Sequence, residues 1–207
     1  MIDLIEKYFP EITSIQKERM EALMRLYPAW NDKINVISRK DIVNLEERHI
    51  LHSLAIVKFI NFSTDSNILD LGTGGGFPGI PLAIMFPELR FHLVDRIKKK
   101  LHVAEEIANA IGLKNVSFQH GDIGECHQKF DFAVSRAVMP QPDLVKCVRK
   151  NISSIERNAI PNGLISLKGG ELTEELRPIS SLTEIVDLST YFDESFFKTK
   201  KLIYTSI

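Results

Sequence analysis

The run D-L-G-T-G-G-G-F-P-G, from Asp70 to Gly79, constrains the fold more than any other part of the chain. It follows the apolar residues Ile68 and Leu69 and leads into a second apolar segment, Ile80 to Phe86. A buried strand that breaks into clustered glycines and re-enters an apolar helix is the entry to a nucleotide-type pocket. Glycine permits positive φ and lets backbone approach a ligand with no Cβ in the way. The N–H groups at the start of the following helix are expected to favour an anionic group. A strand F-H-L-V-D then ends at Asp95, about twenty residues on, where an acidic side chain accepts hydrogen bonds from both hydroxyls of a ribose. The ligand expected on these grounds is built on adenosine.

From Ser66 onward, strands and helices alternate. Expected strands are Asn67 to Leu71, Phe91 to Asp95, Val116 to His120, Phe130 to Ser135 and Gly163 to Lys168, with helices at Ile80 to Phe86, Lys98 to Ile111 and Pro142 to Ile155. Helical crossovers imply a parallel, doubly wound sheet. Thr183 to Leu188 and Lys201 to Ser206 read as two further strands that make the sheet mixed, with one strand antiparallel. The fold class is therefore α/β: Rossmann-like, seven strands, mostly parallel. Residues 1–62 read as an N-terminal helical cap and 63–207 as the core. In the cap, Leu4, Ile5, Tyr8 and Phe9, then Met20, Leu23, Met24 and Tyr27, recur at helical spacing. Pro10 and Pro28 are expected to break it, with Trp30 as a core anchor. A further helix is expected from Asp41 to Ile60, with Leu45, Ile50, Leu54, Val57 and Ile60 inward.

At 207 residues, 44% apolar and 26% charged, the chain has the composition of an ordinary globular domain. Its net charge of −1 gives no global attraction to nucleic acid, so any such surface is a local patch. No apolar run approaches bilayer length, and the N-terminus lacks the basic and apolar regions of a signal peptide. Cys126 and Cys147 fit neither a metal spacing nor a disulfide framework, so no metal is expected and a reduced, cytoplasmic setting is.

The glycines alone leave the cofactor open, because Gly74-x-Gly76-x-x-Gly79 also matches a dinucleotide fingerprint. Three features favour S-adenosylmethionine. Asp70 precedes the first glycine, where an anion opposes a pyrophosphate but suits a ligand carrying an ammonium and a sulfonium. H-G-D-I-G-E after the third strand puts Asp122 and the backbone of Ile123 and Gly124 beside an adenine. Phe130-Asp131 opens the fourth strand. Asp122 and Asp131 taken singly read equally well as turn and strand-edge residues.

Five blocks in order carry a closer resemblance: W-N-D-K-I-N-V-I-S (Trp30 to Ser38), E-R-H-I-L-H-S-L (Glu47 to Leu54), D-L-G-T-G-G-G-F-P-G-I-P-L (Asp70 to Leu82), F-D-F-A-V-S-R-A (Phe130 to Ala137) and S-L-K-G-G (Ser166 to Gly170). With them the chain resembles the bacterial small-subunit ribosomal RNA guanine-N7 methyltransferases, the RsmG or GidB family, of the class I methyltransferase fold. The resemblance implies that Gly72, Phe77, the Ile123–Gly124 backbone and Arg136 contact S-adenosylmethionine, alongside Gly74 and Asp95. It implies methylation of N7 at nucleotide 527 of 16S rRNA, near the decoding site. The expected partner is that RNA, in the small subunit or an assembly intermediate; no DNA and no membrane are expected, and nothing demands more than a monomer. Two positions depart from the family pattern: His52 stands where an acidic residue is usual, and Gly75 where the glycine loop usually has proline.

Guanine N7 carries an in-plane lone pair and no proton, so transfer to it needs positioning rather than a general base. Arg136 is the candidate catalytic residue, contacting the cofactor and donating to guanine O6; a strand-end arginine paired to a carboxylate is the alternative. Arg48 and His49 read as substrate-side or cap-closing groups, with a satisfied structural histidine an equal reading of His49. Lys168 reads as a phosphate contact or a solvated lysine. Arg96, Lys98, Lys99 and Lys100 form a phosphate track or a solvated helix start. A small-molecule methyltransferase, a non-catalytic nucleotide-binding module and a nicotinamide oxidoreductase remain alternatives at this point.

Overall fold

A computed structural model describes residues 1–136 and 139–207; Ala137, which ends the fourth block above, lies outside them. Seven strands form one sheet: β1 (Asn67–Leu71), β2 (Arg90–Asp95), β3 (Val116–His120), β4 (Phe132–Arg136), β5 (Gly163–Gly169), β6 (Thr183–Asp187) and β7 (Lys200–Ser206), in the order β3-β2-β1-β4-β5-β7-β6. Strands β1 to β5 are parallel, and β7 runs antiparallel to both β5 and β6. The chain leaves β1 first toward β2 and later toward β4, so a crevice opens between them at the carboxyl edge.

Alternation along the strands builds two cores. Ile68, Leu93 and Val134 face the cap and the helices α4 (Gly79–Met85) and α5 (Lys98–Ala110), while Leu69, Leu71, Val94 and Ala133 face α6 (Gln141–Val148). The cap consists of α1 (Asp3–Tyr8), α2 (Ser14–Asn31) and α3 (His52–Phe59), and its buried side chains join the same cluster as the sheet. At the start of α2, Thr13 and Gln16 form a reciprocal capping box. The Gln16 amide also donates to the Ile84 and Met85 carbonyls, at 3.3 and 3.0 Å, which ties the cap to the end of α4.

Several boundaries differ from the sequence reading. Pro28 does not break α2, which continues to Asn31. Proline removes one N–H near the end of the helix, a loss that burial of Met20, Leu23 and Tyr27 outweighs. Tyr27 is fully buried; Trp30 is half-buried, its ring edge-to-face with that of His102 at 5.7 Å between centroids. The single helix expected over Asp41 to Ile60 is instead a 3-10 turn (Ile42–Asn44), a π-helical stretch (Glu46–Leu51) and α3. The Glu46 carboxylate here accepts the N–H groups of Leu4 and Ile5 at the start of α1, at 2.7 and 3.1 Å. Helix α6 gives way at Arg149, because buried Asn151 turns its amide onto the Cys126 and Gln128 carbonyls. Phe130 and Asp131 precede β4 rather than opening it. The Asp131 carboxylate accepts the Asn67 N–H at 2.8 Å and pairs with Arg157, a structural role at the edge away from the crevice.

Asp70 is fully buried and does not face a ligand, contrary to the reading from sequence. One carboxylate oxygen accepts from the Thr73 hydroxyl at 2.6 Å and from the Gly79 N–H at 2.8 Å, clasping both ends of the glycine loop. The first N–H of α4 is therefore spent on the protein itself. A Cβ at residue 79 would stand 2.6 Å from that oxygen and 2.9 Å from Leu93. Gly79→Ala is expected to destabilise the fold by about 1–3 kcal/mol in urea unfolding. Burial pushes the Asp70 carboxyl up to about 7. The folded chain therefore binds a proton that the unfolded one releases, and this contribution to stability is complete below about pH 4 and lost as pH rises through 7. Relative to Asp70→Asn, the wild type should lose roughly 2–4 kcal/mol between those limits; a constant difference between the two proteins would contradict the assignment.

Candidate active site

A cavity of about 390 Å³ lies at the carboxyl edge of the sheet, against the glycine loop. Gly72, Gly74 and Gly76 adopt positive φ, of 71°, 58° and 105°. That path turns the loop back over β2, where the N–H groups of Gly72 and Thr73 both donate to the Val94 carbonyl, at 2.9 and 3.1 Å. The cap holds the loop from the other side. The Tyr27 hydroxyl donates to the Gly75 carbonyl at 2.8 Å, and a Cβ at Gly75 would stand 2.9 Å from that of Val36. At Gly74 a Cβ would meet nothing within 4 Å.

Of the residues singled out from sequence, Gly72, Gly74, Phe77, Asp95, Ile123 and Arg136 all line this cavity. The Asp95 carboxylate accepts the Gly74 and Ile97 N–H groups, each at 2.7 Å. A carboxylate offers about four lone-pair sites, so each oxygen keeps one for a further donor. Gly124 stands behind the wall, its N–H donating to the Asp122 carboxylate at 2.6 Å. Asp122 is likewise outside the wall and pairs with Arg96. The Gly124 N–H first, and then Arg96, hold the Asp122 carboxyl below its usual range. Of the basic run, Arg96 and Lys100 reach the cavity.

Arg136 ends β4 and is the most constrained charge in the site. Its guanidinium donates to the Arg48 carbonyl at 3.3 Å and to the His49 Nδ1 at 3.0 Å, and its centre lies 4.9 Å from the centroid of the Phe77 ring. Since arginine cannot accept, His49 carries its proton on Nε2. Burial, reinforced by the Arg136 charge, pushes His49 down to about 3, so the ring is neutral. Burial lowers Arg136 to about 10, partly opposed by Asp70, which leaves it charged at neutral pH. Two of its five N–H donors are used within the chain, and the rest remain for a ligand.

Arg48 and His49 thus reach the site through Arg136 rather than through the cavity wall. Lys168 is neither solvated nor presented to a phosphate: its buried ammonium donates to the Met139 carbonyl at 2.6 Å and pairs with Glu175 at 3.0 Å. Because Met139 lines the cavity, Lys168 fixes a piece of the wall. Sequence reasoning passed over Val36, Met139 and Cys147, which also line it. Val36 falls within the W-N block and was findable there; Met139 and Cys147 carry no local pattern that marks them.

The fold matches solved methyltransferase structures at low sequence identity. A SAM-dependent methyltransferase from Aquifex aeolicus superposes with a TM-score of 0.53 and 16% identity, covering 82% of this chain and 98% of that one. A precorrin-6y C5,15-methyltransferase from Geobacter metallireducens gives 0.53 and 12%, over 74% and 77%. The sheet is therefore the Rossmann-like sheet of methyltransferases. Relatives in sequence are far nearer. The ribosomal RNA small subunit methyltransferase G of Phocaeicola vulgatus is 62% identical over 206 residues, spanning 100% of this chain and 99% of the relative. That of Bacteroides thetaiotaomicron is 59% identical over 206 residues, spanning 100% of both. The family model described as GidB, rRNA small subunit methyltransferase G, matches residues 16–196, a span that holds every residue found in the cavity wall. With glycine loop, Asp95 and Arg136 gathered in one cavity inside that span, the chain belongs to the rRNA small subunit methyltransferase G family.

Proposed function

We propose that the chain transfers the methyl group of S-adenosylmethionine to N7 of guanine 527 in 16S rRNA, acting on the small ribosomal subunit or an assembly intermediate. The observation that carries the choice of donor is the bond from the Gly79 N–H to Asp70. A dinucleotide site aims the first N–H groups of this helix at a pyrophosphate; here the first is consumed by a buried carboxylate. What remains at the cavity is the Asp95 carboxylate with lone pairs to spare, matched to ribose hydroxyls, and open space in front of Gly74. A cavity of about 390 Å³ is in the range of small-ligand sites.

When bound, S-adenosylmethionine supplies an electrophilic methyl group on a sulfonium. The chain's own residues have three tasks. Asp95 and the glycine loop orient the ligand's sugar. Phe77, held against Tyr27 with ring centroids 4.5 Å apart, walls the cavity from water. Arg136, held by His49 and the Arg48 carbonyl, offers a charged donor to guanine O6, which leaves N7 facing the methyl group. No proton is removed from N7, so neutral His49 serves as an acceptor that aims Arg136 and not as a base.

Calorimetry with S-adenosylhomocysteine should give binding that Asp95→Asn weakens about tenfold, the cost of one charge-assisted hydrogen bond. Binding of NAD in its place would end the methyl-transfer reading. Labelled methyl transfer into small subunits lacking the mark should fall about 100-fold in kcat for Arg136→Lys, with the melting temperature held. Unchanged turnover would remove Arg136 from the reaction, and label appearing only in free nucleosides would replace the ribosomal acceptor with a small molecule.

A further inference from the structure

A second cluster adjoins the cavity on its cap side. Phe196 lies in a 3-10 turn (Ser195–Thr199) between β6 and β7 and is half-buried. Two cations stand over its ring: the Arg48 guanidinium 5.6 Å and the Lys200 ammonium 4.7 Å from the centroid. The His52 ring meets it edge-on at 5.4 Å. Lys200 pairs in register with Gly169, just past the Arg136–Leu167 row, on the same carboxyl edge as the cavity. The Arg48 carbonyl is itself bound by Arg136, so cluster and cavity share a residue.

Buried polar atoms are nearly always paired. Among the described residues five side-chain atoms are not, and two of the five, Arg48 Nε and His52 Nε2, belong to this cluster. Lys200 takes part in no ion pair among the described residues. The hold of Arg48 on Asp41 is a surface pair at 2.9 Å with side chains 38% and 40% exposed, a contact that costs little to exchange. The region therefore combines unspent positive charge, an aromatic ring and polar atoms lacking partners.

We propose that Arg48, Lys200 and Phe196 form a clamp for a nucleotide flanking the acceptor base. The two cations take its phosphate, and in doing so leave the face of Phe196 to the base. This rests on the proposed action on RNA, whose backbone supplies the anion and whose unpaired bases stack on aromatic rings.

The test uses the full chain and small subunits lacking the mark, with three readouts: subunit binding across a salt series, KM against kcat for methyl transfer, and affinity for S-adenosylhomocysteine. Lys200→Gln should flatten the slope of log affinity against log salt by about 1. Phe196→Leu keeps an apolar side chain but loses the ring, and should raise KM for subunits about tenfold with kcat and S-adenosylhomocysteine affinity held. Phe196→Trp should restore KM. An unchanged slope and KM would overturn the clamp. So would a loss that tryptophan does not restore, or one shared equally by S-adenosylhomocysteine binding, since each would mark Phe196 as packing alone. A wild type that binds subunits with these sensitivities yet transfers no methyl would leave the clamp standing and overturn the proposed reaction; one that does not hold subunits would overturn the clamp.

Discussion

One buried carboxylate organises the site. Asp70 reaches from the end of β1 to the Thr73 hydroxyl and the Gly79 N–H, so a single oxygen spans the whole glycine loop. A backbone with three residues at positive φ has little intrinsic reason to hold one path. The carboxylate supplies it, and close packing of Gly79 on Leu93 removes the room to drift. From that anchor follow the direction of the Gly74 N–H toward Asp95, the placing of Phe77 and the shape of the cavity. The cost is a carboxyl group held far from water, visible in its raised pKa.

The cap is part of the site's construction rather than a covering laid over it. Tyr27 and Val36 press on the glycine loop from outside, while Asp70 grips it from within. The π-helical stretch serves two ends at once. Glu46 caps α1, and two and three residues later Arg48 and His49 present a carbonyl and a ring nitrogen to Arg136. Without those acceptors a buried guanidinium would lose the partners that offset its desolvation. Burial first, and then the Arg136 charge, keeps His49 neutral and so able to accept from the guanidinium.

The parts of this arrangement that were legible in the chain share a physical character. Gly72, Gly74 and Asp95 are tied to a local rule: positive φ at a tight loop, or an acidic residue one strand beyond it. Phe77 and Arg136 stand in the blocks that carry the family resemblance and Ile123 in H-G-D-I-G-E after the third strand, and all three line the cavity. Roles that depend on burial and on how a loop folds back on itself are not legible in the same way. The sequence sets the Asp70 charge beside a cationic ligand, whereas the folded loop buries it and brings the Thr73 hydroxyl and the Gly79 N–H, three and nine residues on, to one of its oxygens. Lys168 reads as free in sequence because its burial, the Met139 carbonyl 29 residues back and the Glu175 carboxylate beyond the end of β5 are brought to it only by the fold. The helix expected from Asp41 and the break expected at Pro28 do not form, because periodicity and proline report local preference, which tertiary packing overrides.

The amino-acid order by itself determined the alternation of strands and helices, the single antiparallel strand near the end, and the glycine loop followed by Asp95. These are set by side-chain periodicity and by backbone freedom within a few residues. Only the tertiary structure decided which charges face the cavity and which are spent inside the protein. That outcome depends on desolvation and on pairing across the chain, as between Arg136 and His49, which are 87 residues apart. Short-range pattern carries no information about such pairs, because burial is a property of the assembled fold and not of the segment that supplies the side chain.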